Sequence, residues 1–234
     1  MENHNSYAFI FDMDGTLIDN MAIHNQIWID YLTELGGTPD PQTFNQLTAG
    51  KTNDEIIRRF LGSGLSQENL LEYAEEKENR YRSYYRSRVK TLPGALDFLK
   101  AARDAGIVLA LATSANRENV QMVMDGSGMG EFFPVRVTVE DITNGKPHPE
   151  IFLKAAERTG VPLERCLVFE DSYNGIAAGH SASMPIIAVT TLLTEEEMLA
   201  LPGVKMAIKD FTEVQPTALV DQILKSSQPG PNRG

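Results

Sequence analysis

The 234 residues are 42% apolar and 23% charged, enough apolar material for one buried core or for a core carrying a smaller insert. Thirty-two acidic against 21 basic residues leave a formal charge of −11, which argues against general affinity for nucleic acid or an anionic membrane and confines anion binding to a metal or a locally basic pocket. The single cysteine, Cys166, excludes an internal disulfide and suits a reducing compartment, and no apolar run approaches the ~18 residues of a membrane span, so a cytoplasmic monomer is expected.

The stretch "YAFIFDMDGTLID" (7–19) opens with a continuous apolar run, the mark of a strand buried on both faces. It ends on Asp12 and Asp14, which alternation sends to one side, and Gly15 permits a sharp turn there. Two neighbouring carboxylates repel, so they persist either on a solvated turn or around a cation. With oxygen donors and no His or Cys beside them, that cation would be Mg²⁺.

Residues 20–89 hold no convincing strand but three stretches of helical spacing, "MAIHNQIWIDYLTELGG", "NDEIIRRFLG" and "QENLLEYAEEKENRYRSYYRSRV". They are expected to form an inserted helical cap, joined near residues 18–21 and 88–92. Within it, "NRYRSYYRSR" interleaves arginines with tyrosines and resembles a single-strand nucleic-acid platform. The net charge and acidic flanks favour an amphipathic helix instead, with Tyr81, Tyr84 and Tyr85 on one face.

From Pro93 the chain alternates. "PGALDFLKAARDAG" and "HPEIFLKAAERTG" carry helix punctuation at both ends, and "YNGIAAGHSASM" is a shorter helix. Strands are expected at 107–113, 166–170 and 185–190, with Cys166 a small buried apolar residue in the second of these. Alternating strands and helices predict a doubly wound, Rossmann-like parallel α/β sheet over residues 1–19 and 90–225. The Pro/Gly-rich tail 226–234 is expected to fray.

Ligands of such sheets bind beyond the carboxyl ends of the strands. Ser114 follows the strand at 107–113, where it is either a helix N-cap or, with the amides of Ala115 and Asn116, a seat for an anion. Lys146 precedes a helix and alone would read as a solvated loop charge. Glu170 and Asp171 form a second acidic pair at a strand end. Together the ends supply Asp/Asp, Ser, Lys and Glu/Asp, a set suited to one site.

In their order, "DMDGTL", "ATSAN", "GKPHPE" and "FEDS" resemble the four motifs of the haloacid dehalogenase superfamily of phosphohydrolases and phosphomutases, over residues 7–190. The helical insert is similar to the cap of the subgroup containing β-phosphoglucomutase and small-metabolite phosphatases. The resemblance implies that Asp12 attacks phosphorus and becomes an aspartyl-phosphate, while Asp14 serves as general acid and then general base. It implies Mg²⁺ on Asp12, the Asp14 carbonyl and Asp171, with Glu170 a direct or outer partner. Ser114 and Lys146 would hold phosphoryl oxygens, and Thr16 with the Gly15 turn would orient Asp14 and the phosphoryl group. Dehalogenation is disfavoured, since a second acid and a metal site belong to phosphoryl chemistry.

Substrate choice would lie in the cap. His24 and Lys77 fall where the mutase has a cap and hinge network, although each also reads as an ordinary surface residue. The loop "TAGKTNDE" (48–55) matches the specificity loop, with Gly50, Lys51 and Thr52 nearest to substrate. Two departures stand out: Asn53 replaces the arginine that grips a distal phosphate, and Asn20 replaces a hinge threonine. Lys51 or Arg117 could compensate. Losing a bidentate phosphate grip favours a phosphatase of a small phosphorylated metabolite, with a sugar phosphate expected, over a phosphosugar mutase. A catalytically silent binding module remains as an alternative of another class.

Overall fold

The computed structural model describes residues 7–48 and 51–225. Gly50 and the tail 226–234, named above for substrate contact and for fraying, lie outside the described residues. Along the chain, β1 (Ala8–Phe11) leads into four helices, α1 (Met21–Glu34), α2 (Phe44–Thr48), α3 (Asn53–Leu61) and α4 (Gln67–Tyr85). Then come α5 (Ala95–Asp104), β2 (Val108–Ala112), α6 (Arg117–Ser127), β3 (Val135–Val137), α7 (Glu150–Thr159), β4 (Cys166–Glu170) and α8 (Tyr173–Ser181). β5 (Ile186–Val189), α9 (Glu195–Leu199), β6 (Val204–Ile208) and α10 (Pro216–Leu219) complete the order.

The strands form one sheet in the order β3-β2-β1-β4-β5-β6, with every pairing parallel. β1 lies between β2 and β4 and is buried throughout, as its unbroken apolar run requires. Its side chains alternate between layers. Phe9 and Phe11 enter a cluster with Phe98, Phe169 and Phe211, where Phe11 stacks on Phe169 at 4.4 Å between ring centroids. Ala8 and Ile10 enter the opposite layer with Ala110, Phe152 and Val168.

Two strands were not foreseen, β3 and β6. Both are edges of the sheet, and edge strands need not be apolar on every side. β3 is the three-residue "VRV" and β6 exposes Lys205, so neither presents a continuous run.

Helices α1–α4 bury their own cluster of Trp28, Tyr31, Leu32, Phe44, Ile56, Ile57 and Leu70. Thr52 starts α3 through a capping box with Glu55, and the Ser66 side chain caps α4. The shared tyrosine face is corrected in one member. Tyr81 and Tyr85 are fully buried, whereas Tyr84 is 50% exposed, with Arg88 lying over its ring. Arg80 pairs with Glu34 and Glu76, and Arg82 with Glu118, so these cations face acids of the same chain.

The two connections to the sheet run side by side. Asp19 N–H donates to Lys90 O at 3.0 Å and Leu92 N–H to Leu17 O at 2.9 Å. The Tyr85 hydroxyl accepts from Lys90 N–H at 3.2 Å. Among the described residues, no helix is long and apolar enough to cross a membrane.

Candidate active site

Asp12 leaves β1 with its N–H still bonded to Phe169 O on β4, at 3.0 Å. The chain then turns tightly on Met13 O, which accepts from the amides of Thr16, Leu17 and Ile18. Gly15 is required twice over in this turn: its φ is +78°, and a Cβ there would lie 2.0 Å from Asp171 Oδ2.

Lys146 reaches into the acidic group from the loop before α7. Its Nζ donates to Asp12 Oδ1 at 2.6 Å, to Glu170 Oε1 at 2.7 Å and to Ala112 O at 3.3 Å. Far from being a solvated loop charge, its side chain is buried. Glu170 Oε2 accepts from the amides of Asp171 and Ser172, both at 2.8 Å, and from Ser172 Oγ at 3.0 Å. Asp171 accepts from Thr16 Oγ1 at 3.0 Å and from Thr191 Oγ1 at 3.3 Å.

Two buried carboxylates, Asp12 and Glu170, therefore share one ammonium, with the buried Asp171 beside them. Burial pushes Asp12 up to about 7 against the opposing pull of Lys146, with Glu170 and Asp14 adding to the rise. Burial also raises Asp171 well above the usual carboxylate range, reinforced by Glu170 and Asp12. Lys146 is held above its ordinary value because Asp12 and Glu170 outweigh the effect of burial. One oxygen from each of Asp12, Glu170 and Asp171 lies within 4.8 Å of the others. An all-oxygen, negatively charged and sequestered donor set of this kind fits a hard divalent cation.

Asp14 belongs to the same cleft but is held by the helical insert. Its Oδ1 accepts from Asn20 Nδ2 at 2.6 Å, and Asn20 Nδ2 also lies 2.7 Å from the Tyr81 hydroxyl. The His24 ring stacks on Tyr81 at 3.8 Å. Lys77 Nζ sits 2.8 Å from His24 Nδ1, and Nε2 lies 3.9 Å from Asp14 Oδ1. His24 is thus no free surface histidine. Lys77 is only 2% exposed, which corrects the alternative of a solvated charge.

The cleft, about 160 Å³, is lined by Asp12, Asp14, Ser114, Ala115, Lys146, Glu170 and Asp171 from the sheet and by His24, Lys51, Asn53 and Lys77 from the insert. Ser114 is exposed to it and does not cap α6; Asn116 does, accepting from Asn119 N–H at 2.9 Å. The Ala115 amide donates to Thr113 Oγ1 at 3.1 Å. Thr52 is occupied by its capping box and Thr16 by Asp171, so neither lines the cleft. Arg117 is the clearest departure. As the first residue of α6 it turns to the outer surface, where Nη2 meets Asp141 Oδ1 at 3.2 Å beside Arg158.

Sequence reasoning missed Glu78, Asn119, Thr191 and Gly175. Glu78 accepts from Asn53 Nδ2 at 2.9 Å, Lys77 Nζ at 2.9 Å and Asn119 Nδ2 at 2.7 Å. A signal was present: Leu70, Ala74, Lys77, Tyr81 and Tyr85 follow helical spacing, which puts Lys77 on the buried stripe of α4.

A family description for haloacid dehalogenase-like hydrolases matches residues 8–183. The "Phosphorylated carbohydrates phosphatase" of Thermotoga maritima is 31% identical over 86% of this chain and 94% of its own length. Among solved structures, a HAD hydrolase of family IA, variant 3, from Entamoeba histolytica superposes with a TM-score of 0.87 at 33% identity, covering 94% of this chain and 99% of its own. The β-phosphoglucomutase of Clostridium difficile gives a TM-score of 0.82 at 26% identity, covering 94% and 98% respectively. The chain belongs to the haloacid dehalogenase-like hydrolases. It is an enzyme, and its structural kin include the β-phosphoglucomutase-like subgroup.

Proposed function

We propose that the protein is a Mg²⁺-dependent phosphatase of a small phosphorylated metabolite, a sugar phosphate, working through an aspartyl-phosphate on Asp12. The observation that carries this reading is the buried Asp12–Lys146–Glu170 bridge beside Asp171, open to a cleft that also holds Asp14 and Ser114. Asp12 Oδ forms the bond to phosphorus as the bond to the leaving oxygen breaks, and Asp14 gives that oxygen its proton. Asp14 then takes a proton from the water that cleaves the acyl phosphate. Asn20 holds Asp14 for both steps. Lys146 opposes the burial that raises Asp12 and so favours its ionised form, and with Ser114 it meets the phosphoryl oxygens. Mg²⁺ would be held by Asp12, Asp171 and the Asp14 carbonyl, and when bound it supplies charge stabilisation to the transferring group. Glu170, whose oxygens already serve Lys146 and three donors of residues 171–172, fits an outer role.

Residues 20–89 act as the cap over this site. A phosphatase is favoured over a mutase because Asn53 is engaged by Glu78 and Arg117 by Asp141, so neither offers a grip on a distal phosphate. The Thermotoga relative, a phosphatase of phosphorylated carbohydrates, supports a carbohydrate phosphate. A phosphorus NMR time course with Mg²⁺, β-glucose 1-phosphate and a trace of glucose 1,6-bisphosphate tests the reading. Inorganic phosphate, from this or another phosphoester, is the expected product. Glucose 6-phosphate as the main product would make the protein a mutase, and inertness across a broad phosphoester panel would make it a silent module.

A further inference from the structure

Glu78 places a carboxylate inside a cleft shaped to receive an anion. It is 7% exposed, yet it lines the same cleft as Asp12, Ser114 and Lys146. Its three donors come from three elements: Lys77 on α4 itself, Asn53 on α3 and Asn119 on α6 of the sheet layer. Asn119 cannot flip its amide away, because its oxygen accepts from Arg82 Nη1 at 3.0 Å. A carboxylate has about four acceptor positions; with these three filled, one is left for a hydroxyl arriving in the cleft.

The cations of the cleft leave little for a second negative group. Lys77 is committed to Glu78 and His24, Lys146 to Asp12 and Glu170, and Lys51 at the rim lies 3.3 Å from Glu55. Apart from His24, no other basic side chain among the described residues lines it. A second phosphate would thus meet the Glu78 carboxylate where the buried cations, Lys77 and Lys146, are already paired, with only the half-exposed Lys51 at the rim.

We infer that Glu78 is a specificity-determining residue, which accepts a hydroxyl from the neutral part of a phosphomonoester and excludes substrates that carry a second anionic group. Discrimination of this kind works by repulsion of the wrong ligand as much as by attraction of the right one. The inference rests on the phosphatase reading for where the first phosphate binds. It narrows the substrate class to monophosphates of hydroxylated, otherwise uncharged molecules.

The test is calorimetry with the full chain carrying Asp12→Asn, so that binding is read without turnover, in the presence of Mg²⁺. Glucose 1-phosphate is expected to bind at least about tenfold more tightly than glucose 1,6-bisphosphate, and adding Glu78→Gln should shrink that ratio about tenfold or more. Glu78→Gln leaves Lys77 buried without its partner. If circular dichroism shows that it does not fold, Lys77→Met/Glu78→Gln removes both charges and is judged by the same criterion. A folded variant with an unchanged ratio overturns the inference, as does tighter binding of the bisphosphate before any change at Glu78. Hydrolysis of 4-nitrophenyl phosphate by the unmodified protein separates the two readings. If it proceeds while the ratio stays flat, the role of Glu78 falls and the phosphatase stands; if no phosphoester is hydrolysed, the phosphatase reading falls first.

Discussion

Replacing Gly175 with alanine would drive a methyl group into the Glu170 carboxylate. The added Cβ would sit 1.7 Å from Oε1, 1.8 Å from Cδ and 2.3 Å from Oε2. Ordinary contact is about 3.5 Å, so the carboxylate must retreat by well over an ångström, breaking the 2.7 Å bond from Lys146. Overpacking of this sort costs about 1–3 kcal/mol, and the better helix propensity of alanine returns up to about 1 kcal/mol. The net loss of roughly 0–3 kcal/mol lowers Tm by about 0–12 °C for a chain of this size. The effect on catalysis is larger, because displacing a reacting arrangement by about 1 Å can cost about 10²-fold in rate. Gly179, on the same helix, is the control: its Cβ would meet the tip of the Ile186 side chain at 3.1 Å, which can shift. Thermal melts and phosphate release across a Mg²⁺ titration read both variants. Wild-type kcat and Mg²⁺ half-saturation in Gly175→Ala would refute the account, and so would an equal loss in Gly179→Ala.

Asp12→Asn should abolish turnover while the circular dichroism spectrum stays native; retention of more than a few per cent of the rate removes Asp12 as nucleophile. Asp14→Asn should slow both phosphoryl transfer and breakdown of a trapped acyl phosphate, and normal breakdown would contradict its role as base. Lys146→Met leaves the buried carboxylates of Asp12 and Glu170 without their cation, a loss of about 3–5 kcal/mol. Mg²⁺ at a hundred times its Kd returns about 2.7 kcal/mol, so the variant should gain more in Tm from Mg²⁺ than the wild type does, and an equal or smaller gain counts against the site. Burial would raise Glu78, but Lys77, His24 and the bonds from Lys77 and Asn119 outweigh it and hold it down at about 2. Its folded value lies below its unfolded one, so its stabilisation is present above about pH 4.5 and is lost as pH falls towards 2. The urea-unfolding difference between wild type and Glu78→Gln should therefore shrink between pH 7 and pH 3; a constant difference would exclude that ionisation.

The gathering of these side chains at one sheet edge was readable because its signals are local. Asp12, Ser114 and Glu170–Asp171 each follow or end an apolar run that could only be a buried strand, and parallel strands bring such ends to one edge. β3 and β6 escaped because an edge strand lacks the run that advertises a central one. The wall of the cleft supplied by helices α3, α4 and α6 was less legible for a different reason. "EEKENR" looks like a solvated charge cluster until three neighbouring elements enclose Lys77 and Glu78, and no spacing rule within α4 supplies Asn53 or Asn119. Arg117 lies away from the cleft because the first turn of a helix decides which way a side chain there points, here to Asp141, which Arg158 also holds.

The paired connections at Leu17–Asp19 and Lys90–Leu92 give the fold a modular quality. The chain leaves the sheet layer and re-enters it one backbone hydrogen bond away, with the Tyr85 hydroxyl closing the neck. To β1 and α5, everything between is a closed loop, and loop-closure entropy rises only slowly with length. A segment of quite different size and shape could be exchanged there without altering the strand order, provided its own ends meet. New substrate ranges could then arise by cassette replacement, while the phosphoryl-transfer machinery stays untouched beneath.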